Sequence, residues 1–165
     1  ILSRGLGDVY KRQEQHNENS FSSMSEKFEC DVLAAFREDI QNRSAWDWIK
    51  AHTSFVRPLH RYDGTLTFTD KTMVLRGKDT KSGGQAFVLE ITRESITNIH
   101  YGFDDAFSRG EDRGVGITFK PIRVDFTQNS VAKSLYLVTD FKRLLRTSGN
   151  EFWFTFLQQW REVSV

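Results

Sequence analysis

GTLTFTDKTMVLRGKDT, from Gly64 to Thr80, is the stretch whose reading decides the fold. Thr65 to Thr69 alternates strictly, with Leu66 and Phe68 on one side and threonines on the other. That is the period of a half-buried strand. Asp70-Lys71 reads as a tight turn and Met73, Val74 and Leu75 as the return strand, so the stretch is a hairpin. Thr80 to Gly84 (TKSGG) is a loop, and Phe87, Leu89 and Ile91 alternate in a third strand. Ile96 and Ile99, with Tyr101, mark a fourth. After a charged loop, Gly102 to Gly114, Val115 to Phe119 and Ile122 to Phe126 read as strands five and six, with Pro121 forcing a bend or edge between them. Gln128-Asn129-Ser130 is a turn, and Leu135 to Val138 make the seventh strand.

The chain then closes with one aromatic helix, Glu151 to Val163. Trp153, Phe156, Leu157 and Trp160 fall at i, i+3, i+4 and i+7, and Phe152 and Val163 widen the stripe. Gln158, Gln159 and Glu162 fall on the wet side. Ser148 and Glu151 fit a capping box at its start. Many strands followed by one amphipathic helix describe a mainly β, α+β domain: a small barrel or sandwich with a helical plug. They do not describe a βαβ enzyme with a cofactor crevice.

Ahead of the strands, two helices are expected over residues 24–56, with the barrel and its helix over 57–165. Phe28, Val32, Phe36 and Ile40 recur every four residues with Leu33 alongside, predicting a helix over Glu26 to Gln41 capped by Ser25. Ser44 and Asp47 open a second, with Trp46 and Ile49 on its buried side.

Residues 1–23 are set apart as a non-native scar and a polar arm. Ser3 to Gln13 reads SRGLGDVYKRQ. Back-translated, it resembles codon by codon the adapter and transposon end used to prepare sequencing libraries, and such scars are excluded from fold reasoning. This also changes the charge. The chain has 23 Lys+Arg and 22 Asp+Glu, of which Arg4, Lys11, Arg12 and Asp8 lie in that segment. The remainder has 20 against 21, and so no whole-domain electrostatic reason to bind nucleic acid.

Cys30 is the single cysteine, which forbids an intrachain disulfide and argues against structural zinc. No apolar stretch approaches the roughly 18 residues of a membrane span, and a reducing, cytosolic setting is the default expectation. No P-loop, GxGxxG, GxSxG or HExxH is present. No cofactor and no metal are therefore expected.

Seven strands closed by a C-terminal helix resemble the pleckstrin-homology-like fold, bacterial pleckstrin-homology-like or GRAM-like domains above all. The resemblance covers about Asp63 to Val163 and rests on element order, the Tyr136-centred seventh strand, and Trp153 and Trp160 in the helix. It implies a seven-stranded bent barrel with an open end plugged by the helix. It also implies lipid, peptide or protein binding far more often than catalysis. A lipocalin-like barrel is the competing fold, but it wants about eight longer, more even strands.

In phosphoinositide-binding members, basic residues around the first hairpin hold headgroup phosphates, and Lys71, Arg76 and Lys78 are similar to that arrangement. Against it, the Asp70-Lys71 turn is short and contains an acid, which makes a poor phosphate cradle. The charged loop offers Asp104 and Asp105 as a general base or metal ligands. The competing reading is a self-paired loop, with Arg109 and Arg113 bridging the carboxylates and Phe103 and Phe107 anchoring it. Arg109 and Arg113 join Lys71, Arg76 and Lys78 as candidate ligand-binding residues. His52, His60 and His100 are scattered without metal spacing, and Cys30 suits plain packing. The leading expectation is a non-enzymatic binding module for another protein or an anionic lipid headgroup. The alternatives are a small-molecule carrier with an apolar cavity and, third, an enzyme acting through Asp104 and Asp105.

Overall fold

A computed structural model of the chain describes residues 28–42, 60–108, 119–141 and 148–163. Its strands are β1 (Phe28–Phe36), β2 (Tyr62–Phe68), β3 (Thr72–Asp79), β4 (Gln85–Thr92), β5 (Ile96–Tyr101), β6 (Ile122–Gln128) and β7 (Val131–Thr139). Among the described residues, two α-helices accompany them, the short α1 (Arg37–Gln41) and the closing α2 (Asn150–Glu162), with a 3-10 turn at Arg93–Ser95. The strands form one curled antiparallel sheet, a half-barrel in the order β4-β3-β2-β1-β7-β6-β5.

Local chemistry sets the hairpins. At β2–β3, the Thr69 hydroxyl oxygen accepts the Lys71 and Thr72 amides at 3.3 and 3.0 Å, so the side chain holds the turn closed. At β6–β7, Asn129 (φ 51) and Ser130 (φ 62) are both left-handed, as the two-residue turn matching strand twist requires.

The first of the two expected N-terminal helices is corrected: of the described residues within Glu26 to Gln41, only Arg37–Gln41 is helical. Residues 28–36 form a strand in the middle of the sheet, paired to β2 on one side and β7 on the other. The sheet is therefore not confined to 57–165. The four-residue recurrence that suggested a helix is also a multiple of the strand period of two. Phe28, Cys30, Val32, Ala34 and Phe36 all turn to the inner core. The helix expected from Ser44 lies outside the described residues, as do residues 115–118 of the expected fifth strand. Phe119 is described, in no strand, and packs with Leu33 and Val138 on the opposite, outer face.

α2 covers the inner face. Trp153, Phe156, Leu157 and Trp160 are buried with Leu66, Phe68, Val124 and Phe126 from the strands. Phe68 sits at the centre, with ring centroids 5.6, 5.0 and 5.5 Å from Trp153, Phe156 and Trp160. Each such side chain contributes roughly 1.5–3 kcal/mol on burial. Their polar edges are satisfied as well. Trp160 Nε1 donates to the Thr69 carbonyl and Trp153 Nε1 to Asp140, both at 2.7 Å. Phe152 and Val163 do not widen the stripe: they are 67% and 37% exposed.

The capping box is also corrected, since the N-cap residue is Gly149 and no side chain caps the helix. Asn150 fixes the start instead. Fully buried, it accepts from the Thr139 amide and hydroxyl at 2.7 and 2.8 Å and donates to the carbonyls of Lys120 and Leu137 at 2.7 and 3.3 Å. At the other end, the Arg93 guanidinium donates to the Val163 carbonyl at 2.5 Å and lies 5.3 Å from the Trp160 ring. No helix among the described residues is long and apolar enough to cross a membrane.

Candidate functional site

The outer face of the sheet has a covered half and an open half. Over β1 and β7, Phe107, Ala106 and Ile40 bury Ala35 and Tyr136, while Phe119 packs on Leu33 and Val138. The hub of this cover is Asp104. One carboxylate oxygen accepts the Ala106 and Phe107 amides at 3.0 and 2.8 Å, and the other accepts Arg123 and the Tyr136 hydroxyl. Burial pushes the Asp104 pKa up, but the Phe107 amide, Arg123, Tyr136 and the Ala106 amide outweigh it and hold the carboxyl below its ordinary value. The Tyr136 hydroxyl shifts upward, through burial first and the adjacent Asp104 second.

A carboxylate with four donors and a lowered pKa is a poor general base, because its lone pairs are committed and its conjugate acid is too strong. Asp105 points outward to Arg37 at 2.5 Å. Arg123 and Arg37 thus pair with the two carboxylates. Arg109 and Arg113 lie outside the described residues. Arg123 also reaches Asp125 at 3.1 Å, and Asp125 accepts from Ser134 at 2.7 Å and Asn98 at 3.1 Å. This network ties the 102–108 loop to β6 and β7 and was missed from the sequence. Its signal was the outward alternation of Arg123 and Asp125 with Ser134 and Tyr136.

The other candidate groups are placed plainly. Cys30 is buried on β1, with its thiol pKa pushed up by burial and then by Asp140 and Asp31. His100 pairs in register with Arg123, and its Nε2 is buried without a hydrogen-bond partner. His60 is described and has partners, and His52 lies outside the described residues. A groove of about 280 Å³ separates the two halves of the face, lined by Asp31, Leu33, Asp63, Gly64, Val138 and Phe141. Among the described residues no group of three or more His, Cys, Asp or Glu could hold a metal ion.

The open part lies around the far ends of β3 and β4; toward the β2–β3 turn the same face is closed, with Thr67 and Val74 buried. Met73 and Leu75 of β3 go to the core, so Arg76 and Lys78 project from the opposite face, and both are exposed. Across from them stand Thr65 and Asp63 on β2, and Val88 and Ala86 on β4. The other described arginines are engaged internally. Arg37 and Arg123 bind Asp105 and Asp104, and Arg61 holds Asp79 and Asp39 at 2.8 and 2.6 Å. Arg93 and Arg161 bond to the carbonyls of Val163 and Thr97. Arg76 is the exception, with no ion pair among the described residues. Lys71 is not beside it. It sits in the β2–β3 turn, five residues from Arg76 along β3, which is about 16 Å of strand. The expected trio is therefore a pair plus a distant lysine. Compared with family models, curated proteins and solved structures, the chain matches none.

Proposed function

We propose that this chain is a non-enzymatic binding module of pleckstrin-homology-like architecture, presenting Arg76 and Lys78 on the open outer face to an anionic partner. The antiparallel order β4-β3-β2-β1-β7-β6-β5 with a helix packed across one face supports the architecture. The observation that carries the function is the contrast among arginines: five of the six described donate to groups of this chain, whereas Arg76 has no ion pair among the described residues and stands exposed beside Lys78. The inner face filled by α2 weighs against the carrier reading. The four donors on Asp104 weigh against the catalytic one.

Binding to poly-glutamate and to phosphatidylserine-containing vesicles, measured against salt, tests the reading. Attraction between exposed charges should weaken with ionic strength. Arg76→Glu with Lys78→Glu should abolish binding, and Lys71→Glu, at the far end of the strand, should leave most of it. If the wild-type chain binds neither probe in a salt-sensitive way, the reading is wrong.

A further inference from the structure

We propose that the open edge of β4 takes an acidic, extended segment of a partner protein as an added strand. This rests on the cationic-face reading above and gives it a partner class and a geometry. β4 ends the sheet on its side among the described residues. The opposite edge is different. There α2 lies along β5, with Phe154 stacked on Tyr101 at 5.3 Å and Arg161 donating to the Thr97 carbonyl at 2.9 Å. β4 carries neither proline nor lysine, and its pairing with β3 has no bulge, so Glu90 is the one charged guard on this edge strand.

The hydrogen-bond phase identifies the groups on offer. The Arg93 amide donates to the Lys71 carbonyl at 2.8 Å, and the β3–β4 register then runs unbroken from Thr72↔Thr92 to Asp79↔Gln85. Alternation along an antiparallel ladder turns the backbone groups of Ile91, Leu89, Phe87 and Gln85 toward β3. Those of Ala86, Val88 and Glu90 face the open edge. The same three residues have exposed side chains, Val88 at 64%.

A strand added there would place the residues opposite Ala86 and Val88 on the outer face, in line with Lys78 and Arg76 beyond them. Two strand spacings, about 10 Å between Cα atoms, separate the partners. A Lys or Arg stem and a glutamate together span that distance over the short side chains of Ala86 and Val88. The residue between the two acids falls on the inner face beside the half-buried Phe87, where an apolar side chain fits. Glu90 repels an acid opposite itself, which sets the register. The segment recognised is thus acid, apolar, acid, extended along β4.

The full chain is tested with a short capped peptide that carries Glu-Val-Glu opposite Ala86 to Val88 and Val-Thr opposite Leu89 and Glu90. Amide hydrogen exchange at Ala86, Val88 and Glu90 should slow by at least about tenfold at saturation, and affinity should fall with salt. The same peptide with Lys for Glu should not bind. Arg76→Glu with Lys78→Glu should weaken binding at least about tenfold. So should Val88→Pro, which removes an outward amide at an edge position that tolerates proline. Methylating the peptide's backbone nitrogens tests the added strand without altering the protein. Three outcomes overturn the proposal. Binding that needs Arg76 and Lys78 but leaves the three amides unprotected sinks the edge and spares the cationic face. Absence of salt-sensitive binding to any polyanion sinks both. Protection that rises with protein concentration and no peptide makes β4 a self-association edge instead.

Discussion

A Cβ built on Gly64 would lie 2.1 Å from the Arg76 carbonyl oxygen, and one on Gly77 would lie 2.3 Å from that of Asp63. The two glycines are register partners on β2 and β3, so the backbones approach closely where neither residue has a side chain. The obstacle is backbone and cannot rotate away. Gly64→Ala or Gly77→Ala should therefore cost about 3 kcal/mol, the upper end of overpacking effects, with Thr65→Ala as a near-neutral control in urea melts. Next to this pair, Asp79 shows how one carboxylate holds a corner. Arg61 donates to both its oxygens, and the Lys81 amide and Ser82 hydroxyl add to them. Arg61 above all lowers its pKa from 3.8 to about 2, against the opposing effect of burial. Because the folded value lies below the unfolded one, the stabilisation is complete above the ordinary carboxylate value and is lost as pH falls through about 2. Stability measured across that interval should fall less steeply in Asp79→Asn than in the wild-type chain. An unchanged slope would remove Asp79 as the cause.

At the scale of elements, α2 shows what a sequence pattern states and what it leaves out. The i, i+3, i+4, i+7 spacing placed Trp153, Phe156, Leu157 and Trp160 on the buried face, where they are. It did not place Phe152, because hydrophobicity alone does not say how wide the buried arc is. Nor did it find the helix start. Ser148 and Glu151 satisfy the spacing of a capping box, yet Asn150 is held by four tertiary bonds to groups on β7 and Lys120, and no local pattern encodes those partners. Trp160→Ala should cost roughly 3–5 kcal/mol through lost burial and the cavity left behind, and Phe152→Ala under about 0.5 kcal/mol. Asn150→Ala, which strands buried donors and acceptors, should cost about 2 kcal/mol or more. Ser148→Ala should cost only a few tenths, whereas a true cap would cost about 1 kcal/mol. Equal losses for Ser148→Ala and Asn150→Ala in chemical denaturation would contradict this account of the helix start.

The whole molecule depends on the element read least well. Seven strands were expected and seven are described, but β1 was not among those expected and residues 115–118 of the expected fifth lie outside the described residues, so the matching number does not pair the same elements. The first half of β1, Phe28-Glu29-Cys30-Asp31-Val32, carries a clean two-residue alternation. Its second half is apolar on both faces, because Leu33 and Ala35 lie beneath Phe119, Phe107 and Ile40. That double burial is imposed by segments distant in the chain, and locally it imitates a helix. The candidate face was more legible. Arg76 and Lys78 alternate with Met73 and Leu75, so their shared exposure follows from strand period alone, while the distance to Lys71 follows from the strand's length. β1 joins β2 to β7 and so joins the two three-stranded halves into one sheet. Removing it would bare the inner strand edges of both halves and strip Cys30, Val32 and Ala34 from the core. A chain truncated before Arg37 should therefore lose its cooperative thermal transition or aggregate, while deletion of residues 3–13 alone should leave the midpoint within about 2 °C. A sharp transition retained without β1 would show that the two halves hold together through α2 and not through a continuous sheet.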